Sequence, residues 1–340
     1  IVFSEYNDHL NPDTSLFTLI FPFAFSADNL RIAKGSFKYN NIAFQAQPNK
    51  FDINRLSLSG IELDIDDVVQ LNNVLDAQIN TLSTREKSGI EIKSLKTKFS
   101  LANSHLYLSN LDLKTNRSEI KNSIKLNFKR FRDFNENIAN VYIDANLNQS
   151  KLFGADLAYF PLKIDSFLNN EIVISGHIKG KLSNIQAKQL SLSVNKNIFI
   201  EGNISATGLP KIDQTVFNAD SKRIESNIAN IAAILPPSVK LPEQVLKIGN
   251  FNFTGIFNGK YNDFKSKFAL ITDAGKVNAD IETKFNPEIH RLTYKGNVQG
   301  DNVQLGILTN KPELLGSAKF DITLNGQGMK LQDIKSQIKG

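Results

Sequence analysis

Cysteine and tryptophan are both missing from the 340 residues, and methionine occurs once, at Met329. Without cysteine there are no disulfide staples and no thiolate metal sites, a condition that suits the cytosol and the periplasm equally. Without tryptophan, and with phenylalanines set on alternating apolar positions instead of beside basic residues, no base-stacking platform for nucleic acid is built. No apolar run approaches the ~18 residues needed to span a bilayer. The greasiest window, Leu16 to Phe25, is short and broken by Pro22. Histidine is also scarce. The four share no motif, and His105 and His177 alternate with apolar neighbours so that both point to water, which leaves no histidine for metal or acid–base work.

The charge is modest, 40 basic against 34 acidic residues for a net +6. The basic residues are scattered over polar strand faces, so they read as solvating groups before any anionic partner. Lys129-Arg130-Phe131-Arg132 is the one tight cluster and reads as a surface loop. Glu62, Asp64 and Asp66 share a strand face that would attract Ca²⁺, but the Gly and Glu of a calcium loop are missing, so the stripe reads as solvated. Gly326-Gln327-Gly328 lacks the third Gly of a phosphate loop, and no Ser sits in a Gly-x-Ser-x-Gly elbow. Neither catalytic residues nor a cofactor motif emerge, and the expectation is a protein that is not an enzyme.

What is present is alternation. Phe251, Phe253 and Phe257 recur on one side of a run, and after a turn at Asn262-Asp263 so do Phe264, Phe268 and Leu270, with Ser266 and Thr272 as polar exceptions. A turn at Asp273-Ala274-Gly275 leads to Val277, Ala279, Ile281 and Phe285 facing one way, with Lys276, Asn278, Asp280, Glu282 and Lys284 facing the other. Side chains alternate with period two on a strand, so each run is a half-buried β-strand. Similar runs start near Leu30 and recur to Phe320, Ile322 and Leu324. Slips of phase, as between Leu58 and Ile61, are the mark of bulges or tight turns. Residues 67–82 fit a helix or a strand, with strand favoured.

Three breaks interrupt the pattern, near 151–160, 226–235 and 302–309. The second is the strongest: Ile228, Ile231, Ala232 and Leu235 have helical spacing, with Ser226 as N-cap and Pro236-Pro237 as the stop. On the order of 20 short strands follow one another without a linker, which predicts one elongated sheet over 51–340 behind a weakly patterned entry segment, 1–50. Residues 11–26 are expected to be irregular or briefly helical. The inward row is either the core of a closed β-sandwich or barrel, or the wall of an open groove, and periodicity does not separate the two. A groove needs no specific pocket to hold an acyl chain, since each buried CH₂ is worth about 0.8 kcal/mol.

Several segments carry a family resemblance in order and spacing. They are Leu56 to Leu63, Ile79 to Gly89, Leu111 to Ser118, Asp156-Leu157-Ala158-Tyr159-Phe160-Pro161, Ile174 to Gly180, Thr207-Gly208-Leu209-Pro210, Gly255 to Gly259, Asp263-Phe264 and Thr272 to Asp280. Together they resemble the TamB proteins of Bacteroidota, in the AsmA-like group. The resemblance implies a mainly β, elongated β-taco: a curled, mostly antiparallel sheet with an apolar groove and a few short helices. It implies a periplasmic segment, anchored to the inner membrane by a part of a longer polypeptide outside this chain. The implied cargo is phospholipid moving toward the outer membrane. The implied protein partner is an outer-membrane BamA-like barrel of the TamA or TamL type, and a role as scaffold or chaperone for barrel assembly is the alternative. On this reading the lipid-facing residues are Phe251, Phe253, Phe257, Phe268, Leu270, Val277, Ala279, Ile281, Phe285, Phe320, Ile322 and Leu324.

Overall fold

The structure, a computed structural model, describes residues 24–42, 45, 50–72, 74–102, 104–129, 133, 140–160, 168–209, 211–235, 241–286, 288–289, 291–328 and 335–339. The chain divides into two compact units, residues 1–164 and 165–340. In each unit the class is the one expected: mainly β, antiparallel and not closed into a barrel, with a few short helices. Among the described residues no helix is long and apolar enough to cross a membrane.

In the first unit, β1 (Phe25–Lys38), β2 (Ser57–Leu71), β3 (Val74–Glu86), β4 (Glu91–Ala102), β5 (His105–Lys114), β6 (Glu119–Asn127) and β7 (Tyr142–Phe153) follow as a meander. Each pairs antiparallel with the next. β1 lies within the entry segment and pairs with β2 over most of its length. Residues 67–82, readable as a helix, are strand on both sides of a tight turn that begins at Asn72, whose φ of 49° suits the left-handed turn position. The phase slip after Leu58 is a register shift between Ser59 and Glu62, at Gly60. Ile79, Leu95 and Leu111 form the buried core, with Leu63, Leu82, Phe99, Leu108 and Ile124 packed against it.

One end of this meander is closed by α1 (Gly154–Leu157). Asp156 accepts hydrogen bonds from the Thr115 hydroxyl and from the backbone N–H of Arg117 (3.0 Å) and Ser118 (2.9 Å), which ties the β5–β6 turn to the helix. Lys50 donates to the Ala158 carbonyl, and Phe51 and Phe160 meet at 5.7 Å between ring centroids.

In the second unit, β8 (Glu171–Lys181), β9 (Asn184–Val194), β10 (Ile198–Thr207), β11 (Val216–Asn227), β12 (Asn250–Lys260), β13 (Asp263–Thr272), β14 (Gly275–Asn286), β15 (Arg291–Gln304), β16 (Ser317–Gln327) and β17 (Lys335–Lys339) form another antiparallel meander. Its helices are α2 (Ile228–Ile234), α3 (Glu243–Leu246) and α4 (Leu305–Thr309). The helix near 226–235 is there, but its N-cap is Asn227, whose side chain accepts from Ala229 N–H at 3.0 Å. Ser226 instead donates to the Asn197 carbonyl at 2.8 Å, because its side chain faces into the sheet, where burial requires a partner. Asn310 donates to Glu243 at 2.9 Å and so ties α4 to α3. The expected stop at Pro236-Pro237 lies outside the described residues, as do Arg130, Phe131 and Arg132 of the basic cluster and most of 11–26.

Candidate functional site

The register of the second unit sets its apolar side chains in rows that run across the strands. Ile174, Leu192, Ile200, Ile224, Phe253, Leu270, Val277, Gly300 and Phe320 are successive Cα partners from β8 to β16. The next row runs Gly255, Phe268, Ala279, Val298 and Ile322, and the one after it Phe257, Ser266, Ile281, Gly296 and Leu324. Phe251 stands at one margin, level with Thr272, and Phe285 at the other, level with Leu292. All twelve expected groove residues therefore share one face and lie in adjacent rows.

That face is apolar but open. Of the twelve, only Ala279 is buried, at 7% exposure, and the large side chains are all intermediate. Among the described residues between 250 and 327 the buried hydrophobics are Ala274, Ala279 and Val303, none larger than valine. A closed sandwich would bury its phenylalanines and isoleucines here, since packed interiors leave few voids.

The phenylalanines are positioned by glycine. Gly255 has φ +150°, and a Cβ on it would stand 2.3 Å from the Lys267 carbonyl oxygen and 2.6 Å from the Phe268 Cα. The strands thus approach closely, and the Phe268 ring stacks on Phe253 at 5.3 Å. Gly300 is covered by the Phe320 ring, which leaves 2.3 Å for a Cβ. Phe257 meets Phe264 at 4.9 Å. Aromatic rings laid over cross-strand glycines are a known device for restoring the contacts a glycine gives up. Phe268 and Phe320 consequently serve the wall itself as well as its surface.

The opposite face is charged. Glu282 carries ion pairs to Lys265 (3.5 Å), Lys284 (3.6 Å) and Lys295 (3.3 Å), and Lys267 meets Asp280 at 4.0 Å. Desolvation pushes the Glu282 carboxyl up, but Lys295 and Lys265 outweigh it and hold the group below its ordinary value. Ile256 and Ile271 stand exposed among these charges. In the first unit, Asp66 of the acidic stripe accepts from Asn29 (2.6 Å) and Asn80 (2.7 Å), which hold its carboxyl below the usual range, and Asp64 pairs with Arg31 at 3.4 Å. Asparagine and arginine therefore satisfy Asp64 and Asp66. Among the described residues no cluster of three or more His, Asp or Glu is placed to hold a metal.

Sequence reasoning passed over β11, whose inward positions are Phe217, Ala219, Ser221 and, past a register shift, Ile224. The signal for it was the alternation itself, diluted by small side chains. It also passed over the glycines that set the phenylalanines. No family model, no curated protein and no solved structure matches this chain.

Proposed function

We propose that the apolar face of β8–β16 is a stretch of a lipid conduit, a non-enzymatic surface along which phospholipid acyl chains lie and slide with their headgroups toward water. The observation that carries this reading is the openness of the rows. Large side chains such as Phe253, Leu270, Ile281 and Ile322 keep part of their surface accessible while the charged residues take the opposite face. Each methylene moved from water onto such a face gains about 0.8 kcal/mol, so a chain is held without a closed pocket and without a fixed register, which suits sliding. The TamB-like segments supply the setting: a periplasmic location, an inner-membrane anchor outside this chain, and delivery toward an outer membrane with a BamA-like barrel partner.

Ile281 and Asp280 are neighbours in sequence on opposite faces, and they make the test. A photo-crosslinking residue at 281 is expected to capture phospholipid from cells, and one at 280 to capture none. Equal labelling at the two positions refutes the conduit.

A second reading, a scaffold for barrel-protein assembly, is favoured by β16. Its partner β17 pairs with residues 323–327 alone, so among the described residues 317–322 have no strand on that side, an edge suited to strand addition. Crosslinks from Lys319 to nascent barrel strands, with no lipid captured at Ile281, would select it.

A further inference from the structure

Among the described residues of β8–β16, one buried side-chain polar group has no hydrogen-bond partner. Ser221, on β11, is 3% exposed, and its Oγ has no hydrogen-bond partner. Its face is the inward one, shared with Phe217 and Ala219. Among the described residues of this unit the other buried hydroxyls are all engaged. Ser226 donates to the Asn197 carbonyl at 2.8 Å, Ser266 to the Ile256 carbonyl at 2.8 Å and Thr215 to the Lys211 carbonyl at 2.8 Å, while Thr283 accepts from Phe264 N–H at 3.1 Å.

Two features separate Ser221 from them. Its Cα partners on both sides are glycines, Gly202 on β10 and Gly255 on β12, so no side chain stands beside it in its row. It also sits mid-strand, five residues from the start of β11 and six from its end, at the bulge where the register to β12 shifts. The surrounding positions on this face, Ala219, Ile224, Phe253 and Phe257, have apolar side chains. A buried hydroxyl ordinarily has a partner, and one without invites a group brought from outside.

We infer that Ser221 is a hydrogen-bonding subsite for an oxygen carried on an acyl chain, and that the face takes hydroxylated acyl chains in preference to plain ones. This inference rests on the conduit reading. Headgroups belong at the wet margins on that reading, so the polar atom that reaches the middle of a strand is one borne by the chain. A chain hydroxyl both donates and accepts, so it pairs with Ser221 in either sense.

The test is displacement of a fluorescent fatty acid from the 340-residue protein by stearate, 3-hydroxystearate and 12-hydroxystearate, repeated with Ser221→Ala. At least one hydroxy acid is expected to bind about three- to tenfold tighter than stearate, the range a single net hydrogen bond supplies. Ser221→Ala should remove that preference and leave stearate unchanged. A phosphatidylcholine carrying the same hydroxyacyl chain distinguishes an esterified cargo from a free acid, and a Ser221-dependent preference in either form upholds the subsite. Equal binding of plain and hydroxylated chains by the unsubstituted protein overturns it, as does a preference that survives in Ser221→Ala. If stearate itself fails to bind, the conduit reading falls and the subsite with it. The alanine variant is expected to fold at least as well, since it removes an unsatisfied hydroxyl, and an unchanged circular dichroism spectrum checks this.

Discussion

Gly255 and Gly316 are the same residue in opposite circumstances. At Gly255 an added Cβ meets the backbone of the next strand at 2.3 Å in a φ of +150° that other residues avoid. At Gly316 it meets nothing within 4 Å. Gly255→Ala is therefore expected to cost about 2 kcal/mol or more, through strain and forced separation of β12 from β13. Gly316→Ala should stay within about 0.5 kcal/mol of the parent. Urea midpoints measure both, and equal effects would mean that the close approach is not what this glycine serves. Ser221 belongs to the same scale: like Gly255, its meaning comes from its row partners on the two neighbouring strands, and alternation along one strand carries no trace of them.

At the scale of elements, the strands whose inward positions are mostly apolar could be read from the sequence, as with Val277, Ala279, Ile281 and Phe285 of β14. β11 could not, because Ala219 and Ser221 blur its period. Helix positions were readable from spacing near 226–235. The cap was not, because Ser226 and Asn227 are both good cap residues and only tertiary burial assigned Ser226 to the sheet. Choosing a groove over a sandwich core also lay beyond periodicity, since each makes the same inward row and only exposure tells them apart. α1 illustrates what an element can hold in place. Burial pushes the Asp156 carboxyl up, while hydrogen bonds from the Thr115 hydroxyl and the Arg117 and Ser118 N–H groups outweigh it and hold it below its ordinary value. The stabilisation is then complete above the unfolded carboxylate value, about 3.9, and is lost as the pH falls through the lower folded value. Asp156→Asn should cost about 1–2 kcal/mol at neutral pH. The gap between variant and parent should close as the pH falls through that lowered folded value. A gap independent of pH would mean that shape, and not charge, does the holding.

For the molecule as a whole, large apolar side chains are buried unequally between β3–β5 and β12–β16. The first unit has a buried cluster in Ile79, Leu95 and Leu111, whereas from β12 to β16 no buried hydrophobic exceeds valine. Hydrophobic burial is the main favourable term in folding, so strands that leave their large side chains half-open open more readily. Amides of β3–β5 should therefore exchange with solvent more slowly than those of β12–β16 in lipid-free protein. An acyl ligand that covers the rows binds the folded face and not the unfolded chain, so it adds about 2.7 kcal/mol at 100 times its dissociation constant. Added lipid should raise protection in β12–β16 and leave β3–β5 as they were. A uniform rise over both units would place the ligand elsewhere, and no rise in β12–β16 at a lipid concentration that Ile281 crosslinking shows to be bound would separate the open rows from the binding they are proposed to serve.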